Sequence, residues 1–241
     1  MQRKHPFSVN NIYHIYNRGV AKSLICREDA DRWRFLQGLC LFNDHNSVAN
    51  ILWQLDKKRG RLTLNVLKQY LTDEKEKRKP LTRIIAYCPM GNHYHLLLEE
   101  IEEGGITKFM HKLGLGYARY FNNKYDRVGS VFQGRFKSII VDNERYLQYL
   151  LVYLNVLNPA ELIVPGWKEH GIAEQDIEKV LVFAEKYQWS SHLDYLGKRG
   201  SLILDRGVLA NILPDSQAYL DLVQMVLREK KYQEIKDLTL E

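Results

Sequence analysis

The segment LTRIIAYCPMGNHYHLLLE, at positions 81–99, predicts two β-strands separated by a tight turn. Its first eight residues are apolar and rich in β-forming side chains, and the turn-forming residues at 89–92 interrupt that run. A second strand is predicted from His93 onward. Alternate side chains of a strand share one face, so His93 and His95 are expected to point to the same side of the sheet.

Two imidazoles that lie one pleat apart on one face can bind a single metal ion. An equally simple interpretation is that His93 and His95 are ordinary histidines on a half-exposed strand. The other histidines show no comparable spacing, and His111 is expected at the surface or facing nucleic acid because it lies in a basic segment. The pair is therefore a candidate metal site that needs support from neighbouring segments.

The segments on either side of this strand pair show helical and β-strand periodicity in turn. The predicted elements are a strand at 7–16, a helix at 29–43, strands at 81–88 and 93–99, a helix at 107–125, a strand-like stretch at 129–141 and a helix at 143–157. This order predicts an α+β sandwich, in which an antiparallel-containing sheet carries helices on one face.

The chain is expected to consist of a core at 1–160 and a helical C-terminal extension at 161–241. Residues 46–80 are interpreted as an inserted, partly helical arm, because they end in a run of alternating charges closed by a proline. The sequence Trp189-Ser190-Ser191 in the extension predicts a tryptophan packed onto the core.

Composition is that of a soluble globular protein: 241 residues are 45% hydrophobic and 27% charged. We find no apolar run long enough for a membrane helix and no signal peptide, so a membrane partner is not expected. Cys26, Cys40 and Cys88 form no CxxC pair, which argues against a disulfide framework and favours a reducing cytoplasm.

Positive charge is concentrated in one part of the chain. The whole chain carries a net charge of +6, and residues 107–140 alone hold seven basic side chains and one acidic, which also gives +6. Seven tyrosines and phenylalanines are interleaved with these cations. Cations for phosphates and aromatic rings for bases are what single-stranded nucleic acid binding requires, although a basic run is also typical of a solvated surface.

Four segments in order resemble the REP-associated tyrosine transposases, a branch of the HUH single-tyrosine transposases. They are Tyr13–Gly19, Ala86–Leu96, the pair Tyr120–Tyr125 and Gly129–Ser138, and Tyr146–Pro159. The resemblance covers roughly residues 7–160. It implies a ferredoxin-like fold, a divalent metal ion, and cleavage and rejoining of single-stranded or hairpin DNA through a covalent 5′-phosphotyrosine.

The resemblance also implies roles for particular residues of this chain. His93 and His95 would hold Mg²⁺ or Mn²⁺, and Tyr153 would be the nucleophile. The family places its nucleophile four residues before the Asn of Asn-Pro, whereas Tyr153 lies five residues before Asn158. In a regular helix five steps put these side chains about 140° apart, so Asn158 reaches the metal only through a bulged turn or an early helix end. Asn155 is the alternative ligand.

Other tyrosines are weaker candidates for the nucleophile. Tyr146 and Tyr149 are expected to be core residues of an amphipathic helix, and Tyr117 and Tyr120 lie in the predicted DNA-binding stretch. The candidate DNA contacts are Arg119, Lys124, Arg127, Gln133, Arg135 and Lys137.

Two further functions stay open on the sequence alone. One is a catalytically inactive nucleic-acid-binding protein on the same fold, which the extra residue before Asn158 suggests. The other is a metal-dependent phosphoesterase that uses water as the nucleophile. The protein is expected to act as a monomer or homodimer.

Overall fold

A computed structural model of the chain describes residues 6–46 and 78–229. The inserted arm predicted at 46–80 therefore lies outside the described residues except at its two ends. Helices and strands are numbered below in chain order within the described part.

The strands are β1 (Ile12–Arg18), β2 (Arg83–Pro89), β3 (His93–Glu99) and β4 (Lys137–Val141). The helices of the core are α1 (Asp29–Phe42), α2 (Gly105–Tyr125), α3 (Glu144–Val152), a π-helix (Tyr153–Leu157) and the short α4 (Asn158–Ala160), and a 3-10 turn spans Val20–Lys22. The extension contains α5 (Trp167–His170), α6 (Glu174–Lys186), α7 (His192–Tyr195), α8 (Leu209–Ile212) and α9 (Ser216–Arg228).

The four strands form one sheet in the order β2-β3-β1-β4, and each pair of neighbours is antiparallel. Together with the element order β-α-β-β-α-β, this is the ferredoxin-like arrangement. The predicted α+β class and the antiparallel sheet are confirmed.

The first face of the sheet is covered by α1 and α2. Phe35 of α1 packs against Tyr94 of β3 and Tyr117 of α2, with ring centroids 5.0 and 5.3 Å apart. The two helices approach closely at Gly116, where a Cβ atom would lie 2.1 Å from the ring of Phe42. A larger residue at that position would have to push the two helices apart.

The second face is covered by the segment from α3 to α4, so helices lie on both faces of the sheet. Tyr153 of the π-helix contacts His95, which belongs to the strand face opposite Tyr94. Tyr146 and Tyr149 are buried, as expected for the amphipathic helix. Helical periodicity alone does not reveal which face of a sheet a helix will cover.

Two strands begin later than predicted. β4 starts at Lys137 rather than Gly129, and the residues before it form a loop in which Gly129 and Gly134 have φ of +97° and +75°. β1 starts at Ile12, after a turn in which Asn10 has φ of +65°. These left-handed conformations interrupt the extended backbone that a continuous strand requires.

The C-terminal extension covers the outer edge of β2. The backbone N–H of Ser191 donates to the carbonyl of Tyr87 at 3.0 Å, and the hydroxyl of Tyr195 donates to the carbonyl of Ile85 at 3.0 Å. These bonds occupy edge groups that an exposed strand would present to other chains. Trp189 is buried with its ring 5.0 Å from that of Trp33, so the predicted packing of this tryptophan onto the core is confirmed.

Candidate active site

The register of β1 on β3 brings two sets of polar side chains onto the second face of the sheet. Tyr16 lies opposite His95 and Arg18 lies opposite His93. Directly opposite residues of an antiparallel pair point to the same side, and so does His14, two residues before Tyr16. Three side chains of β1 therefore surround the predicted metal-binding histidines.

His95 is held by His14. Both side chains are buried, and Nε2 of His14 lies 2.8 Å from Nδ1 of His95, so one of these nitrogens donates to the other. If Nδ1 of His95 carries the hydrogen, Nε2 of His95 presents a lone pair that can bind a metal ion. Ligand histidines are commonly oriented in this way by a partner of the second ring nitrogen.

His93 is held in the same manner and contacts Asn158. Its Nδ1 lies 2.7 Å from Oδ1 of Asn92, and because an amide oxygen only accepts, His93 is the donor. Its Nε2 lies 3.3 Å from Oδ1 of Asn158. The Nδ2 atom of Asn158 is buried and makes no hydrogen bond to any described residue. Two electron-rich atoms thus face each other, an arrangement that a cation between them would stabilise.

A π-helix resolves the spacing problem at Asn158. The backbone N–H of Asn158 donates to the carbonyl of Tyr153, five residues earlier, instead of to the residue four positions back. The wider turn absorbs the extra residue, and single π turns of this kind are frequent at functional sites. As a result Tyr153 contacts His95 while Asn158 contacts His93, so both side chains face the histidine pair.

Tyr153 lies next to the histidine pair, and residues of α5 cover its ring. Its ring centroid is 5.5 Å from that of His95, and only 1% of the residue is exposed. Trp167 packs at 6.3 Å on another side, and the Nζ atom of Lys168 lies 5.7 Å from the ring centre. Both covering residues belong to α5, so a ligand would reach Tyr153 from this side only after a shift of this short helix.

Asn155, the alternative metal ligand, is fully buried, and both atoms of its side-chain amide are hydrogen-bonded to other residues. Its Oδ1 accepts from the hydroxyl of Ser191 at 2.6 Å, and its Nδ2 donates to the hydroxyl of Tyr219 at 3.1 Å. Both partners belong to the extension. The geometry therefore favours Asn158 over Asn155 as the amide beside the histidines.

Tyr117 and Tyr120 belong to α2, on the face of the sheet opposite the histidine pair. Tyr117 packs on the first face of the sheet, its hydroxyl donates to the carbonyl of Ile25 at 2.6 Å, and burial raises its pKa well above the ordinary value. Tyr120 donates to Asp31 at 3.0 Å, and burial raises its pKa to about 12. Burial likewise raises the pKa of Tyr146 to about 12.

Three of the six candidate DNA contacts lie beside the site. Lys137 pairs with Tyr16 across the sheet and shares the face of His95, whereas Gln133 and Arg135 are exposed on the preceding loop. Gln133 accepts from Nε of Arg18 at 2.6 Å, and its backbone N–H donates to the Arg18 carbonyl at 2.8 Å. The loop is thus fixed to the strand that lies opposite His93.

The other three candidates belong to α2 or the residues after it, on the first face. Arg119 is exposed, and the guanidinium of Arg127 lies 5.5 Å from the ring of Phe121. Lys124 is 2.5 Å from Asp31 and 2.6 Å from Glu28. Although burial lowers the pKa of Lys124, these ion pairs raise it above its ordinary value. Its ammonium is therefore already neutralised by two carboxylates.

Sequence reasoning missed two residues, His14 and Arg18. Strict alternation along β1 could have placed them on one face with Tyr16, but only the pairing register shows that they lie beside the histidines. The two terminal nitrogens of Arg18 make no hydrogen bond to a described residue, so they are free to bind an anion. Arg18 is half-buried at the side where His93 is partly exposed.

A metal ion here would depend on two histidines and an amide. Among residues 6–46 and 78–229, no group of three or more His, Cys, Asp and Glu side chains is arranged to hold an ion. The donor set of two imidazoles and one amide oxygen leaves several coordination positions for water or phosphate oxygens. Such a mixed set suits Mn²⁺ and accommodates Mg²⁺.

The buried His192 beside this region gives a pH-dependent prediction. Its Nδ1 lies 2.8 Å from the Tyr219 hydroxyl, and burial lowers its pKa from 6.5 to about 4. Between pH 6.5 and 4, His192 binds a proton in the unfolded chain but stays neutral in the folded protein. We expect the free energy of unfolding to fall by about 2–3 kcal/mol as the pH drops from 6.5 to 4. In urea denaturation at a series of pH values, the free energy of unfolding of His192→Gln should fall less steeply as the pH drops. An equally steep fall would show that His192 does not cause the pH dependence.

Comparisons with known proteins bear on the class of protein. Residues 45–156 match the family model described as "Transposase IS200 like". The match covers just under half of the chain and agrees with the resemblance that the motifs predicted. A solved structure of a REP-associated tyrosine transposase bound to a REP hairpin is similar at a TM-score of 0.44 and 11% identity, over 85% of this chain and 93% of the other. A comparison with curated proteins found no match.

No helix in the described part of the chain is long and apolar enough to span a bilayer.

Proposed function

We propose that the protein cleaves and rejoins single-stranded or hairpin DNA, with Tyr153 as the nucleophile and His93, His95 and Asn158 as ligands of a divalent metal ion. The observation that carries the proposal is the π-helix. It brings Tyr153 to His95 and Asn158 to His93 in spite of the five-residue interval. The same observation removes the reason for preferring an inactive protein on this fold.

The reaction would proceed by exchange of one phosphoester bond for another. The phenolic oxygen of Tyr153 attacks the scissile phosphorus and gives up its proton, while the bond from phosphorus to the 3′ oxygen breaks. That oxygen takes up a proton and leaves as a 3′-hydroxyl, and the 5′-phosphate stays on the tyrosine. Attack by a 3′-hydroxyl on the phosphotyrosine reverses the step and joins a strand.

A bound Mg²⁺ or Mn²⁺ would supply a Lewis acid that withdraws negative charge from the phosphate. The residues of the chain itself orient the reacting groups. His14 and Asn92 fix the rings of His95 and His93, and Lys168 brings positive charge beside the phenol. Burial of Tyr153 beneath Trp167 keeps water from competing with it until DNA is bound.

DNA would approach from the side of Arg18 and the 133–137 loop. Lys137 and Arg135 are exposed there, and Gln133 holds the Arg18 side chain in place. We therefore assign Arg18 to a phosphate oxygen beside the scissile bond, and Lys137 and Arg135 to the backbone of the flanking strand. A planar guanidinium with its terminal nitrogens free is suited to bind phosphate through two parallel bonds.

The direct test is incubation of end-labelled hairpin DNA with the protein and Mn²⁺ or Mg²⁺. We expect a covalent protein–DNA adduct that survives denaturing gel electrophoresis and does not form when a chelator is added first. Salt-sensitive binding without any adduct would instead identify a nucleic-acid-binding protein. Cleavage that leaves free 5′-phosphate ends and no adduct would identify a phosphoesterase that uses water.

Replacement of Arg18 should affect chemistry more than binding. We expect Arg18→Gln to slow adduct formation by about 100-fold, because one donor to the transition-state charge is lost, while the affinity for the hairpin changes little. Arg119→Gln, on the opposite face of the sheet, is the matched control. Equal rates of adduct formation in the two variants would show that Arg18 does not act at the site.

Replacement of His14 should act through His95. Because His14→Phe removes the partner of Nδ1, we expect the affinity for Mn²⁺ to fall by about tenfold. His14→Gln keeps a hydrogen-bonding group and should lose less. Isothermal titration calorimetry with Mn²⁺ measures both variants, and an unchanged affinity in His14→Phe would show that His14 only fills space.

A further inference from the structure

Within the π-helix at Tyr153–Leu157, the backbone carbonyl of Asn155 lacks the donor that a regular α-helix would provide. In an α-helix the carbonyl of Asn155 would accept from the N–H four residues later, but that residue is Pro159, which has no N–H. A buried carbonyl without a partner is unfavourable by about 1–3 kcal/mol. Some other group has to donate to it if this turn is to be stable.

The C-terminal extension provides that donor and two further bonds to the same residue. The hydroxyl of Ser190 donates to the Asn155 carbonyl at 3.2 Å, and the hydroxyl of Ser191 donates to its Oδ1 at 2.6 Å. Asn155 in turn donates from Nδ2 to the Tyr219 hydroxyl at 3.1 Å. All four residues are fully buried, so water does not compete for these bonds.

These partners are themselves held in place. The backbone N–H of Ser191 is bonded to the carbonyl of Tyr87, on the edge strand of the sheet, and the Tyr219 hydroxyl also contacts His192 at 2.8 Å. The three groups that bind Asn155 are thus fixed relative to the sheet that carries His93 and His95. A rigid partner can select one helical geometry over another; a mobile one could not.

We propose that Ser190, Ser191 and Tyr219 are positioning residues that hold the π turn, and through it hold Tyr153 and Asn158 in register with the histidine pair. The inference rests on the proposed function for the roles of Tyr153 and Asn158. The side-chain bonds of Asn155 hold it in the orientation that the π turn gives it, and without them nothing from the extension would oppose regular helical spacing in this segment. Tyr153 and Asn158 would then lie about 140° apart, and one of them would leave the histidines.

The extension would therefore be part of the active site without contacting the reacting atoms. It also gives a function to the Trp-Ser-Ser sequence, in which Trp189 anchors the segment against Trp33 and the two serines act on Asn155. The predicted boundary between a core at 1–160 and an extension at 161–241 would then divide residues that work as one unit.

The test compares Ser190→Ala/Ser191→Ala with Tyr195→Phe. The control removes a buried hydrogen bond from the same extension, to Ile85 rather than to the π-helix. Hydrogen exchange is followed by mass spectrometry in peptides that cover residues 153–158, with peptides from β3 as the internal reference. We expect exchange at least tenfold faster in the serine variant than in the control, relative to β3.

Two functional measurements accompany the exchange experiment. In the serine variant the affinity for Mn²⁺ should fall by tenfold or more and adduct formation should slow, whereas the affinity for hairpin DNA should stay within twofold. A residue that merely stabilised the fold would change all of these together. Should the double variant fail to fold, Tyr219→Phe, which keeps the ring and removes only the hydroxyl, replaces it with the same expectation.

Exchange at 153–158 that matches the Tyr195→Phe control would overturn the inference, whatever the activity. The proposed function fails by a different result, namely the absence of an adduct in the unmodified protein. Because hydrogen exchange needs neither metal nor DNA, it decides the positioning role in both cases.

Discussion

Tyr153→Phe should abolish the covalent protein–DNA adduct. The substitution removes one oxygen atom and leaves the ring that packs against His95 and Trp167. Because no other group can form the phosphotyrosine bond at that position, we expect the yield of adduct to fall by on the order of 10³-fold or more. Affinity for hairpin DNA should change little, since Tyr153 is buried and contributes little to the binding surface.

The matched control is Tyr149→Phe. Tyr149 is also a buried tyrosine of the same helical segment, and its hydroxyl accepts from Nε of Arg145 at 3.0 Å. We expect this variant to retain most of the adduct yield. An undiminished adduct in Tyr153→Phe would refute the nucleophile assignment, and mass spectrometry of the adduct peptide would then identify the residue that reacts.

His95→Ala should strongly weaken the proposed metal binding. His95 is one of the two proposed imidazole ligands, and the described residues contain no group of three or more His, Cys, Asp and Glu side chains arranged to hold an ion. We expect the affinity for Mn²⁺ to fall by roughly 100-fold or more, and adduct formation to fall with it. His111→Ala, an exposed histidine of α2 on the opposite face, should bind Mn²⁺ as the unmodified protein does.

The same comparison separates a metal site from a purely structural histidine pair. If His95 and His14 only fill the core, His95→Ala lowers the thermal stability but leaves Mn²⁺ binding unchanged. Mn²⁺ should also raise the midpoint of thermal unfolding of the unmodified protein, because a ligand that binds only the folded state stabilises it. The absence of any such shift at millimolar Mn²⁺ would argue against the site.

The position of Tyr153 beneath α5 has a consequence for kinetics. Trp167 and Lys168 cover the ring, and Gly166 and Gly171 flank the short helix with φ of +77° and +79°. In the proposed reaction, attack by Tyr153 on a phosphate would therefore need a displacement of this segment as DNA binds. Adduct formation that is slower than DNA binding is the expected behaviour of a nucleophile that has to be uncovered.

Local patterns in the sequence were sufficient for much of the architecture. The alternation at 93–99, the helical spacing at 29–43 and 107–125, and the order of the elements predicted the α+β class, and the family resemblance implied the ferredoxin-like fold. They also placed His93 and His95 on one face, because a strand fixes which side chains share a side. The basic segment pointed to nucleic acid, since charge and aromatic content do not depend on tertiary contacts.

Only the tertiary structure decided which residues meet at the site. The register of β1 on β3 brought His14 and Arg18 to the histidines, and packing against the extension placed Asn155 among hydroxyl groups and Asn158 beside His93. Helical geometry on its own separates Tyr153 from Asn158. The π turn brings both side chains to the histidine pair, and we propose that it depends on the hydroxyl donors of Ser190 and Ser191, some 35 residues later in the chain. Contacts between distant segments leave no periodicity in the sequence, because they depend on how the finished layers pack.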